Sequence, residues 1–224
     1  MAIRIDSSIP ARWHGGPRSI GSIAAIVFHY TGNAGTSATA RGNANYFAST
    51  AVKASAHYCV DTGEVVYECV PLDTTAWSVG DGSAGTMGKI VNNFNSVSIE
   101  MVSCTDAAGR YDIPEATQEH AAELYRLLLK RLPNVRYTIR HYDVSRKRCP
   151  EPMVDEAAWA AFKKKLEEAG EVVEQSKLIV DGREVPVSRI LKDGVNYVRV
   201  RDIAAALDLA VSSQGSIAVL TSKA

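Results

Sequence analysis

The sequence predicts an α/β fold, a mixed central β-sheet flanked by helices, followed by a small C-terminal α+β module. Three observations lead there. Strand-like apolar runs at 24–28 and 97–102 are interleaved with helical patterns at 114–132 and 155–168. An Asp61-Thr62-Gly63 turn between two short apolar runs marks a hairpin, which brings an antiparallel pair into the sheet. After Gly170 the composition changes, and a second series of short strands begins. The 224 residues can bury one sizeable core and something smaller, and 25 basic against 25 acidic side chains exclude an electrostatic nucleic-acid binder. No apolar run is long enough to span a bilayer, and residues 1–6 lack the basic start and apolar stretch of a secretory signal. The expectation is a chain made in the cytoplasm without a signal peptide and without membrane insertion, which stays there or leaves by some other route.

Residues 1–22, with Pro10, Gly15, Gly16 and Pro17 and with Trp13 as an anchor, read as an extended arm. The run 24–28 then breaks at His29 and a Thr31-Gly32-Asn33 turn, as a core strand delivering one polar group at its tip would. A polar loop at 32–39 leads into a short helix over 39–49 that buries Ala44 and Phe47, or Tyr46. The hairpin at 54–70 carries His57. The Gly- and Ser-rich stretch from Trp77 to about residue 95 has no apolar periodicity, and a loop of that length inside a compact domain serves as a wall or lid. Over 95–102, Val97, Ile99 and Met101 alternate with Ser96, Ser98 and Glu100. A carboxylate in mid-strand is costly to bury without a partner, which makes Glu100 a candidate for chemistry.

The helix at 114–132, with Thr117 as its expected cap, repeats Ala121, Leu124, Leu128 and Leu132 at helical spacing and covers the sheet. A strand at 136–139 feeds a polar loop, 140–150, that holds His141, Lys147 and Cys149 and stops at Pro150. The helix at 155–168 aligns Ala158, Trp159, Phe162 and Leu166 and closes the domain. His14 and His120 read as solvated. Cys59 and Cys69 read as buried small hydrophobes, Cys104 as either a buried or a surface thiol, and none belongs to a disulfide framework.

Imidazole and thiolate both suit zinc, and a catalytic zinc takes three protein ligands and leaves a fourth position for water. The 141–149 segment supplies His141 and Cys149. The third ligand must come from elsewhere, with His29 the best source and His57 and Asp143 as rivals. Taken singly, a histidine after an apolar run is more often a hydrogen-bonded core residue, and a turn cysteine is usually just that.

Together, the His29 and His141–Cys149 segments resemble the zinc-dependent N-acetylmuramoyl-L-alanine amidases, a family that includes phage lysozyme-type amidases, bacterial recycling amidases and peptidoglycan recognition proteins. The resemblance covers roughly residues 20 to 165. It implies Zn2+ bound by His29, His141 and Cys149, with Lys147 two residues before the last ligand as a further family feature. In the phage lysozyme-type branch a tyrosine preceding the Ser-Ala-His histidine takes part in catalysis. Ala56 stands there in this chain, so that role does not transfer. The recycling-type branch lacks the tyrosine and uses a glutamate in an Ile-Glu context as general base, which implies that role for Glu100. Trp77 matches a tryptophan near the recycling branch's substrate groove, and His57 is expected either to contact substrate or support the site, or to be a hydrogen-bonded structural histidine. The implied activity is hydrolysis of the amide between N-acetylmuramic acid and L-alanine in peptidoglycan. An endolysin released by a holin-type partner ranks first; a cytosolic amidase recycling muropeptides and a non-catalytic peptidoglycan-binding module are the alternatives.

The expected division is a catalytic domain at 1–170, a linker at 171–176 and a small domain at 177–224. In the last, strands at 178–185 around an Asp181-Gly182 turn, a strand at 196–200, a helix at 201–209 and a strand at 217–220 resemble the N-terminal-like domain of copper amine oxidases found on bacterial wall proteins. Nothing copper-binding is carried over, because no histidine lies in this part. Wall targeting or self-association into a homo-oligomer is the expected role.

Overall fold

The computed structural model describes residues 3–35, 38–167, 174–192, 195–215 and 217–222. The chain forms two compact units that divide between Glu168 and Ala169.

The first unit runs through β1 (Arg4–Asp6), β2 (Ala25–Tyr30), α1 (Ala40–Ser49), β3 (Tyr58–Val60), β4 (Val65–Glu68), β5 (Ser96–Met101), a β6–β7 ribbon (Cys104–Thr105, Tyr111–Asp112), α2 (Glu115–Arg131), β8 (Tyr137–Arg140), α3 (His141–Ser145) and α4 (Glu156–Glu167). Its sheet has six strands in the order β1-β4-β3-β5-β2-β8. All neighbours are parallel except β3 and β4, the hairpin pair, so the sheet is mixed.

Alternation along β2 and β5 sorts side chains onto two faces. Ile26 and Phe28, with Val97, Ile99 and Met101, face α2 and α4 and form the main core with Leu124, Leu128, Trp159 and Phe162. Phe28 meets Phe162 edge-on at a centroid distance of 5.0 Å, a geometry worth about 0.5–1.5 kcal/mol beyond area burial. On the other face Ala25 and Val27 pack with Val79, Val91 and Val144, while Ala40, Ala44 and Phe47 of α1 pack over Cys59 and Cys69. Phe47, not Tyr46, is therefore the buried aromatic of α1, and Thr39 caps that helix by accepting from the Gly42 amide at 2.9 Å. His29 and Glu100 continue this second face at the carboxyl ends of their strands, where open α/β sheets place their sites.

Two local expectations change. Thr117 does not cap α2, which starts after Pro114; its side chain is buried inside the first turns. The segment after β8 is not all loop. Asp143 accepts from the Arg140 amide at 2.9 Å and from its guanidinium, so 141–145 winds into α3, and Arg146 ends it at φ 66°. Arg140 is buried and also donates to the carbonyls of Met153 and Val154 and to Glu156, which ties the start of α3 to α4.

The second unit contains a three-stranded antiparallel sheet, β11-β10-β9 (Val195–Val198, Arg183–Lys192, Glu174–Val180), the helix α5 (Val200–Ala206) and a hairpin of β12 (Leu209–Gln214) with β13 (Ile217–Ser222). Asp202 accepts from the Ser188 amide and from Arg199, fastening α5 to the sheet. The expected linker lies partly outside the described residues, and its last three positions, 174–176, belong to β9 instead, paired to Val187, Ser188 and Arg189. Among the described residues, no helix is long and apolar enough to cross a membrane.

Candidate metal centre and cleft

β8 runs parallel to β2 with Arg140 opposite Phe28, so the next residue on each, His29 near the end of β2 and His141 just past β8, meet with ring centroids 4.6 Å apart. After α3 the chain turns back, and Cys149 accepts through its carbonyl from the Tyr142 amide, which lays its thiol against His29. Cys149 Sγ is 3.7 Å from His29 Nδ1. One donor atom from each of His29, His141 and Cys149 falls within 4.8 Å of the others, and all three residues are buried. His29 Nε2 and His141 Nδ1 have no hydrogen-bond partner among the described residues.

This electrostatic setting suits a cation. Burial holds both imidazoles below their ordinary pKa, which favours their neutral form; for His141 the nearby Asp81 opposes the shift without reversing it. Burial, reinforced by Glu100, pushes the Cys149 thiol up. Two imidazoles and a buried thiol form a donor set that fits zinc.

Glu100 lies opposite His29 in the β2–β5 register, with Oε1 3.8 Å from His29 Nδ1 and Oε2 buried without a partner. Burial raises its carboxyl to about 8, against the pull of Lys147. The serines on its face, Ser96 and Ser98, are buried, so this is an interior face and not a solvated one.

The trio and Glu100 open into a cleft of about 300 Å³ whose walls include Tyr46, Ser55, Trp77 and Lys147. Trp77 is held by its amide, which donates to Ser55 Oγ at 3.0 Å. Lys147 is largely exposed, with Nζ 3.8 Å from Asp81 Oδ2.

His57 is not in the cleft. It is fully buried, with Nε2 2.6 Å from the Arg18 guanidinium and Nδ1 3.0 Å from Ser98 Oγ. The expected substrate contact gives way to a structural role, and neither rival ligand remains: His57 lies inside, and both Asp143 oxygens are taken by Arg140. One residue of the site had no sequence signal. Asp81 Oδ1 lies 2.6 Å from His141 Nε2, yet it stands alone between Gly80 and Gly82 in an aperiodic loop.

Fold and site together define an α/β protein that gathers metal-type donors and a desolvated carboxylate at the carboxyl ends of its central strands. The chain belongs to the N-acetylmuramoyl-L-alanine amidase family, whose model matches residues 19–152. It is 32% identical over 155 residues to the N-acetylmuramoyl-L-alanine amidase CwlL of Bacillus licheniformis, covering 66% of this chain and 42% of that one. The catalytic domain of XlyA superposes with a TM-score of 0.57 at 26% identity, over 74% of this chain and 99% of that domain. A mutant endolysin from Bacillus subtilis superposes with a TM-score of 0.57 at 25% identity, over 73% and 99%. The chain thus spans less than half the length of the curated relative, and the likeness to the two solved structures covers almost all of theirs.

Proposed function

We propose that the chain is a zinc-dependent peptidoglycan amidase that hydrolyses the bond between the lactyl group of N-acetylmuramic acid and L-alanine. The observation that carries this is the meeting of His29, His141 and Cys149 beside the buried Glu100 carboxylate, whose Oε2 has no hydrogen-bond partner among the described residues, at the floor of an open cleft. His29, His141 and Cys149 would hold the zinc, which when bound supplies Lewis acidity, polarising a carbonyl oxygen and acidifying water. Glu100 takes the proton of the attacking water at its free Oε2 and returns it to the departing L-alanine nitrogen, so the amine leaves neutral. A carboxyl held up by burial and pulled down by neighbouring positive charge is poised near neutral pH for both transfers. Lys147, at the cleft edge, places fixed positive charge near the oxyanion that develops on the scissile carbonyl. Trp77 and Tyr46 offer flat apolar faces on which a sugar ring or stem peptide can lie.

The reading extends to an endolysin of phage or prophage origin that reaches the wall by holin-type release, favoured by the likeness to a solved endolysin at 25% identity. The second unit would serve as an attachment or self-association module. It exposes the large apolar side chains Ile179, Val195, Tyr197 and Ile217, each more than half accessible, which suits contact with another copy or with wall polymer. The test compares substrates: release of stem peptides from insoluble walls faster than from soluble muropeptides supports the lysin, and the reverse order supports a recycling amidase.

A further inference from the structure

We infer that Asp81 is a positioning residue that holds His141 and Lys147 in place for the centre. This rests on the metal-site reading above. The Asp81 carboxylate reaches two side chains of one short segment: Oδ1 is 2.6 Å from His141 Nε2 and Oδ2 is 3.8 Å from Lys147 Nζ. A neutral imidazole whose Nε2 faces a carboxylate carries its proton on that nitrogen and donates it. The lone pair is then on Nδ1, which is buried and has no other partner. Asp81 therefore decides which nitrogen of His141 is a ligand and fixes the ring plane, while its second oxygen restrains a lysine that is otherwise free to swing in solvent.

The loop bearing Asp81 is itself clamped to α3. The amides of Gly85 and Met87 donate to the carbonyls of Val144 and Asp143, each at 2.8 Å. A Cβ added at Gly85 would lie 2.1 Å from the Asp143 oxygen, so only glycine permits this approach. The carboxylate and the histidine it orients thus ride on one rigid assembly. Asp81 is itself 41% exposed, so filling the core is not what requires a carboxylate there.

The experiment measures zinc affinity by competition with a chromophoric chelator for the full chain, Asp81→Ala and Cys149→Ser, together with the melting temperature of each metal-free protein. Asp81→Ala is expected to bind zinc about 10–100-fold more weakly, the usual effect of losing such an outer partner of a ligand, with the metal-free melting temperature unchanged. Affinity equal to that of the unaltered chain overturns the inference. So does a loss matched by a lower metal-free melting temperature, which assigns Asp81 to loop stability. Absence of zinc binding in the unaltered chain, or binding that Cys149→Ser does not weaken, instead overturns the metal-site reading and the inference with it.

Discussion

His29 and Glu100 stand side by side on neighbouring parallel strands, with Nδ1 of the imidazole 3.8 Å from Oε1 of the carboxylate. The backbone register of β2 and β5 sets that proximity, so the proposed ligand and the proposed proton acceptor are delivered to one point by the sheet itself. Glu100→Gln keeps the shape of the side chain and removes its basicity. It is expected to lower kcat by about 10²–10⁴-fold while zinc affinity stays near that of the unaltered chain. Kinetics on a muropeptide alongside chelator competition check both halves.

Cys149→Ser tests the metal set. The hydroxyl is a poor replacement for a thiolate, and the remaining imidazoles make an incomplete site. The variant is expected to lose zinc on dialysis and to lose hydrolysis with it, with circular dichroism unchanged, because the core strands do not depend on the thiol. Metal content after dialysis reports the outcome.

Acid stability follows from His57. Burial, with Arg18 alongside, lowers its folded pKa to about 3 from an ordinary 6.5. The unfolded chain therefore binds the extra proton between those values, and stability falls as pH drops from 6.5 towards 3. It falls by up to about 1.4 kcal/mol per pH unit. His57→Gln removes the titrating group, so its urea midpoint is expected to vary less between pH 7 and pH 4.5 than that of the unaltered chain.

Gly85→Ala is expected to strain the contact between the 81–91 loop and α3, since the new methyl meets the Asp143 carbonyl. Overpacking of this kind costs about 1–3 kcal/mol. Thermal melts of the two proteins compare directly.

Much of the site was legible because its parts stand at the ends of well-patterned strands. His29 and His141 each follow an apolar or alternating run, and Glu100 interrupts one, so periodicity drew attention to them, while the family resemblance supplied the roles proposed for them. Trp77 sits at the opening of a loop too long to be idle and does line the cleft. What escaped depends on distant partners. His57 looks like its neighbours in sequence, but Arg18 and Ser98, from separate segments, enclose it. Asp81 gains its meaning only when Gly85 and Gly88 let the loop press on α3. α3 was hidden because its capping carboxylate, Asp143, was weighed as a ligand, and β12 because Leu209–Gln214 ends in Ser-Ser-Gln with little apolar alternation.

The central claim is the bond that is cut and its dependence on metal. Purified peptidoglycan is digested with zinc-loaded, chelated and reconstituted protein, and the products are identified by mass spectrometry. The account predicts free stem peptides that begin at L-alanine, absent after chelation and restored by zinc. Undigested glycopeptides with the protein bound to the wall, or cleavage that chelation leaves unchanged, would contradict it.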